Sequence, residues 1–479
     1  MAQENQSNYF VHNLLRARDW QHRPEFDEVC KWWRDGGLGV CALIGMGGAG
    51  KTAIAERFLN ALLDVMNSSA DKADQVHPPL PRPHGVFVYS FYDDDKPENF
   101  FRRLQMWLEN TPRLETVLAV GQLLFLIQQR RGLIILDGLE RVQESGARGG
   151  FGKLTSPSLR ELLNHIAAGL VPEWSVLTTS RFPLADLRDS QPRYFQRIPV
   201  EEIDLETGVK LLRIRGVQGA NAQLAGIVEH CGRHALTVDL AGGYIKEYGK
   251  GDPTTTLNLG TAEELKAEVD DEPDDDKRAV LIQSRRFARI AQRYRDAMLE
   301  NDEASLALLE RICLFRLGVA CETLADIFTG PEAEKVSGKS LASLSAEQLQ
   351  RKLDWLVKMR IIERSENRTL MLHTKPHFKI HPAVRDGFLA GIGREIATVA
   401  HEAVRHGLEV SLQSVPGTKS PTSARELDLL EEIMYHALMA GDSASAFNIY
   451  QDRIGGAAHL CWKLADYERG IRICKVFLF

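Results

Sequence analysis

Between residues 40 and 52 an apolar run breaks into glycines and ends in Lys-Thr: Val40-Cys41-Ala42-Leu43-Ile44-Gly45-Met46-Gly47-Gly48-Ala49-Gly50-Lys51-Thr52. The segment Ala53-Ile54-Ala55-Glu56-Arg57-Phe58-Leu59 that follows is helical in pattern, so the stretch predicts strand, loop, helix. Gly45 to Thr52 fits G-x-x-x-x-G-K-[ST]. In this spacing glycines let backbone N–H groups crowd around phosphate oxygens at a helix N-terminus, Lys51 reaches the β- and γ-phosphates, and Thr52 offers a hydroxyl to Mg²⁺.

Four more apolar segments, at 86–91, 132–137, 175–181 and 194–200, read as strands, with helical patterns at 98–109, 116–131 and 158–170 between them. Strands separated by helices imply right-handed crossovers and a parallel sheet covered on both faces. The fold class expected is therefore an α/β P-loop NTPase with a parallel five-stranded sheet, at 23–200, after a lead-in at 1–22. The polar stretch 67–85 reads as a surface loop and the glycine-rich stretch 143–157 as a mobile one. Beyond residue 201 strand signals nearly stop. A small helical domain is expected at 201–250 and an acidic, solvated linker at 251–276. A winged-helix domain follows at 277–392, with a hairpin made of 360–363 and 369–373. A helical region at 393–479 opens a series of TPR-like repeats. Its apolar last residues, without a polar cap, are expected to continue into further repeats.

With 479 residues, the chain should hold about three or four packed units at roughly 100 to 200 residues each. A formal charge of −6 gives no global field for a polyanion, so DNA binding is disfavoured. Seven cysteines without a C-x-x-C pair read as reduced core residues of a cytosolic protein. The polar N-terminus and the lack of any apolar run near ~20 residues predict a soluble, cytoplasmic chain with no membrane span.

Asp137 ends the third strand, where a second metal-side carboxylate belongs, holding Mg²⁺ through water. Glu140, three residues on, either polarises an attacking water or caps the next turn. Arg181 ends the fourth strand at the sheet's carboxyl edge, suited to bidentate recognition of a γ-phosphate or to a surface ion pair. His373, His377 and His381 recur at four-residue spacing, but Pro376 and strand-like flanks break the helix that a zinc site of that spacing would need. The cations Arg351, Lys352, Lys358 and Arg360 share a helix that must also bury Leu349, Leu353, Leu356 and Val357. That makes them an ordinary solvated face sooner than a DNA contact.

In order, these motifs resemble the STAND class of P-loop ATPases, which contains the NB-ARC switch modules of plant resistance proteins and the apoptosome scaffold. Gly45 to Thr52 is similar to the family's GMGGxGKT, and Leu133-Ile134-Ile135-Leu136-Asp137-Gly138-Leu139-Glu140-Arg141 to its Walker B segment in bacterial members. Thr178-Thr179-Ser180-Arg181 resembles the sensor Thr-Thr-Arg with a serine inserted. Cys231-Gly232-Arg233-His234-Ala235-Leu236 stands where the family has Gly-Leu-Pro-Leu, with Ala235 at the proline that packs on adenine. Ile380-His381-Pro382 stands at Met-His-Asp, and His22-Arg23-Pro24-Glu25 is the nearest match to Gly-Arg-Glu.

The resemblance implies ATP or ADP with Mg²⁺ as cofactors, held by Arg23, Gly45, Gly47, Gly48, Ala49, Gly50, Lys51, Thr52, Ala53, Ala235 and His381. Thr52 and Asp137 would face the metal. Lys51, Asp137, Glu140 and Arg181 would serve a slow hydrolysis used as a timing signal, and His381 would bind the β-phosphate of ADP to lock a closed state. It further implies opening and homo-oligomerisation with ATP on sensing a trigger, an effector located elsewhere, and a role in bacterial defence against phage or another regulated response. A winged-helix DNA-binding regulator and a metabolic P-loop enzyme are the competing readings.

Overall fold

The computed structural model describes residues 9–11, 14, 19–63, 79–111, 114, 116–128, 132–145, 150–273, 275–316, 318–365, 377–389, 391–413, 421, 423–464 and 466–477. They divide into two compact units, Met1–Ile214 with Gly232–Leu236, and Arg215–Cys231 with Thr237–Phe479.

The first unit is built on strands β1 (Tyr9–Val11), β2 (Gly39–Ile44), β3 (Val86–Ser90), β4 (Gly132–Asp137), β5 (Trp174–Ser180) and β6 (Phe195–Pro199). They form one sheet in the order β1-β3-β4-β5-β2-β6, every pair parallel. The five strands read from the sequence are all present, and the lead-in adds the short edge strand β1. Strands β2 to β5 are buried at every position, as strands covered on both faces must be. Alternate side chains serve two cores: Val40, Phe87, Ile134 and Val176 on one face, Cys41, Val88, Ile135 and Leu177 on the other. Trp174 closes the first core, its indole N–H donating to the Ile127 carbonyl at 2.7 Å.

The connection expected to be mobile, 143–157, is held in place where described. Gln143 bridges to Leu154 in antiparallel fashion, and its side-chain amide donates to the carbonyls of Gly152 and Pro183 at 2.7 and 3.0 Å. Residues 146–149 and most of the 67–85 loop lie outside the described residues.

In the second unit the 251–276 stretch is no solvated linker. Thr261 caps a helix at Ala262–Ala267, and Leu257, Leu259, Leu265 and Val269 are buried. The apolar residues find a core while the acidic ones turn outward, Glu268 pairing with Arg289 at 2.5 Å. A helix of 27 residues, Asp275–Asn301, follows. Further on, β7 (Val319–Ala320), β8 (Ile362–Ser365) and β9 (His377–Ile380) form an antiparallel sheet in the order β7-β9-β8. The strand expected at 369–373, with His373, lies outside the described residues; β8 pairs with β9, which carries His377. His377 thus belongs to a strand and His381 follows that strand, so four-residue spacing does not place them on one helical face. Two of the four cations in the basic cluster are ion-paired: Lys352 Nζ lies 2.6 Å from Asp302 and Arg360 Nη1 lies 3.2 Å from Asp239.

The C-terminal helices Arg394–Gln413, Ala424–Met439, Ser443–Asn448 and Tyr467–Val476, with π-helical turns at Ile449–Ile454 and Ala458–Lys463, bury Leu430, Ile433, Ala446, Leu460 and Ile473. Four of the cysteines are buried as expected, whereas Cys474 is exposed. No helix among the described residues is long and apolar enough to cross a membrane.

Between the first two of these helices, His401 and His436 are buried with Nδ1 atoms 2.8 Å apart. Burial, reinforced by the neighbouring His436 and Arg385 and opposed by Glu432, lowers the His401 pKa to about 4. A folded-state value below the unfolded one means that the neutral ring stabilises the fold above about pH 6.5. This contribution is lost as the pH falls toward 4, at about 1.4 kcal/mol per pH unit. The stability of the C-terminal helices against urea should therefore fall over that window by up to about 3 kcal/mol, and His401→Leu should flatten the dependence.

Candidate functional site

The phosphate loop leaves the end of β2 and enters the helix Lys51–Leu63. Gly48 sits at φ +85°, a conformation costly for side-chain-bearing residues. It is also crowded: a Cβ there would stand 2.5 Å from that of Leu236. Leu236 in turn donates its N–H to the Gly48 carbonyl at 3.2 Å, so the segment holding His234 and Ala235 packs directly on the loop. Lys51, Thr52 and Ala53 open the helix, and their first-turn amides have no carbonyl four residues back inside it. With the helix dipole this is an anion site.

Lys51 is buried, and its ammonium donates to the carbonyls of Gly45 and Met46 at 2.7 Å each. Burial lowers its pKa to about 8, with Glu140 and Asp137 pulling upward and Arg181 downward. The cation is thus held inside the loop with little water.

Asp137 ends β4, and one strand, β5, separates it from the loop's own strand. The Thr52 hydroxyl nevertheless reaches Asp137 Oδ1 at 2.7 Å. Thr179 of β5 donates to the same oxygen at 2.7 Å and Ser90 of β3 to Oδ2 at 3.2 Å. Burial raises the Asp137 pKa to about 6 against the lowering effect of the Thr179, Thr52 and Ser90 hydroxyls. Thr179 and Ser90 were not singled out as site residues from the sequence. Ser90 is signalled there only by a hydroxyl at the carboxyl end of a strand, and Thr179 also by its place in the segment that resembles the sensor Thr-Thr-Arg.

Arg181 follows β5, and a Cβ on Gly47 would lie 3.2 Å from its Nε. That Nε is buried without a hydrogen-bond acceptor. Glu140 stands in the 3₁₀ turn Leu139–Val142; its Oε2 accepts the Arg181 amide at 3.2 Å and its Oε1 the Tyr92 hydroxyl. The inserted Ser180 faces inward, donating to Gln143 Oε1 at 2.5 Å and accepting the Phe182 amide at 3.0 Å. Arg23 is buried beside the loop: it donates to the Ala49 carbonyl at 2.8 Å and pairs with Glu25 at 2.5 Å. Within the first unit the fold thus brings together Arg23, the loop, Asp137, Glu140, Arg181 and Ala235. His381 belongs to the second unit, after β9, where its carbonyl accepts the Arg385 amide at 2.9 Å.

The donor set fits a magnesium nucleotide. Hydroxyl and carboxylate oxygens at Thr52 and Asp137 suit a hard divalent cation, while Lys51, the first-turn amides and the acceptor-less Arg181 Nε suit phosphate oxygens.

Sheet order, loop and paired Thr52 and Asp137 define the fold of a P-loop ATPase. No protein-family model and no curated protein sequence matches the chain. Among solved structures it is similar to a Signal Transduction ATPase with Numerous Domains (STAND) protein with a tetratricopeptide repeat sensor from Pyrococcus horikoshii. The two share 14% identity at a TM-score of 0.56, over 96% of this chain and 54% of that one. The chain thus spans about half the length of that protein. A Walker-type ATPase of Pyrococcus abyssi (14% identity, 80% of this chain and 99% of that one, TM-score 0.32) aligns too weakly to define a common fold. So does the Aeropyrum pernix Orc1 protein in complex with DNA (14%, 76% and 91%, TM-score 0.31).

Proposed function

We propose that this chain is an ATP/ADP-dependent signalling switch of STAND type and a slow Mg²⁺-dependent ATPase. The observation that supports the nucleotide part of this reading is the part-buried contact of Thr52 with Asp137 beside the desolvated Lys51, a geometry suited to a metal-bound polyphosphate; the switch part rests on the motif order. Lys51 and the amides of Gly48 to Ala53 hold the β-phosphate. Thr52 and Asp137 face the metal, the latter through water. Bound Mg²⁺ supplies charge neutralisation across the phosphate oxygens. Arg181 registers the γ-phosphate, Glu140 orients the attacking water, Arg23 braces the loop, and Ala235 lies against the base.

ADP favours a closed monomer and ATP an open chain that self-associates, in a regulated response such as defence against phage. A ligand moves such an equilibrium only by its differential affinity, and a shift from 1:99 to 99:1 takes about 5.5 kcal/mol. Part of that must come from a trigger on the helical region. The motif around His381 supports a β-phosphate contact in the ADP state. Loss of one hydrogen bond to a charged group costs roughly 1.5–3 kcal/mol, so His381→Ala should release ADP about ten- to a hundredfold faster. It should also shift particles toward the larger assembly. Stopped-flow release of a fluorescent ADP and mass photometry test this together, and unchanged values in both overturn the lock.

A further inference from the structure

We propose that the loop following β3 is a clasp that positions Glu140, with the Tyr92 hydroxyl as its contact to the carboxylate. The inference rests on reading Glu140 as the residue that orients water for hydrolysis.

The clasp follows from strand register. β3 and β4 run side by side with Ser90 opposite Asp137, and the Phe91 amide extends the ladder by donating to the Asp137 carbonyl at 2.8 Å. The next residues of both strands therefore leave the sheet together at its carboxyl edge. After β4 the chain turns at Gly138, at φ +77°, into the 3₁₀ turn that carries Glu140. The Tyr92 ring lies over that glycine: a Cβ there would stand 2.8 Å from Tyr92 Cε2. Packed in this way, the ring delivers its hydroxyl to Glu140 Oε1 while the Arg181 amide holds Oε2.

The next residue of the turn is gripped as well, by a residue further along the loop. Arg141 Nη2 donates to Asp95 Oδ2 at 3.0 Å, so one loop holds two consecutive residues of the turn. The loop is itself braced, since the Asp93 and Asp94 amides donate to the Ser90 carbonyl at 3.1 Å and the buried Asp94 carboxylate accepts Asn99 Nδ2 at 3.1 Å. Burial lifts the Tyr92 hydroxyl well above its ordinary pKa, so it remains a donor. Asp95 and Arg141 are about one-fifth exposed and contribute less than the Tyr92 contact.

Tyr92 is thus a positioning residue: it acts on water only through Glu140. Tyr92→Phe keeps the ring on Gly138 and removes the hydroxyl alone. In single-turnover ATP hydrolysis it should lower kcat about ten- to a hundredfold, while Kd for ATP and ADP stays within about twofold. Glu140→Gln should lose about 10²–10⁴-fold, and adding Tyr92→Phe to it should cost nothing more, because the carboxylate to be positioned is gone. An unchanged or raised kcat in Tyr92→Phe overturns the clasp, as do parallel losses of kcat and affinity or multiplied losses in the double variant. A parent protein that binds no nucleotide overturns the nucleotide reading itself. A parent that binds and hydrolyses ATP, with Tyr92→Phe indistinguishable from it, overturns this inference alone.

Discussion

Lys51→Ala should purify without nucleotide. The ammonium is almost wholly withdrawn from water and, among the described residues, hydrogen-bonded to the carbonyls of Gly45 and Met46, which are neutral. A cation desolvated in advance, with no counter-ion in those two bonds, is poised for an anion. Truncating one partner of a buried, hydrogen-bonded charge pair costs about 2–5 kcal/mol, or roughly thirtyfold to several thousandfold in affinity. The folded state should survive, because two unpaired carbonyls at the mouth of an open loop can bind water. ADP or ATP content measured by chromatography after denaturation decides it, with circular dichroism as the folding control. Equal content in variant and parent would remove Lys51 from the site.

The second large effect lies in the second unit. Arg469 is fully buried and reaches Asp466 at 3.0 Å, Asp428 at 3.0 Å and Glu431 at 3.5 Å, while Arg472 binds Glu431 at 2.8 Å. Asp428 and Glu431 share one face of the helix Ala424–Met439, and Arg469 and Arg472 one face of Tyr467–Val476, each pair three residues apart. The contact is a two-by-two ladder of charge joining two helices that also share the core of Leu430, Ile433 and Ile473. Removing one partner of a buried ion pair leaves uncompensated charge, so Arg469→Ala should destabilise the C-terminal helices by about 3–5 kcal/mol. Adding Glu431→Gln should recover part of that loss. Urea unfolding of both variants measures it, and a change below about 1 kcal/mol would show that water relieves the carboxylates.

What was legible in the sequence was what is local. The loop announces itself because glycines, lysine and threonine must occur in one short order, and β2 to β5 do so because fully buried strands are continuous apolar runs. Short or long-range features were not. β1 has three residues, too few for periodicity. Leu257, Leu259, Leu265 and Val269 were hidden among polar and acidic neighbours, so a packed segment read as a linker. The pairing of β8 with the mixed His377-Phe378-Lys379-Ile380 was not legible either, since that tetramer carries no alternation strong enough to mark a strand until register is known. Within the site, Asp137 and Arg181 could be read from strand ends and Arg23 from resemblance alone. Thr179, Ser90 and Tyr92 depend on strand order and register: Tyr92 meets Glu140, 48 positions away, only because β3 lies beside β4.

The central claim is that the phosphates in the loop set the assembly state of the chain. Its most direct test is mass photometry of the nucleotide-free protein loaded with Mg²⁺ and either ADP or a non-hydrolysable ATP analogue, with Lys51→Ala as control. Expected are monomers with ADP, a larger discrete species with the ATP analogue once the trigger is present, and no response in Lys51→Ala. One mass under both nucleotides with the trigger present, or an identical response in Lys51→Ala, would contradict it.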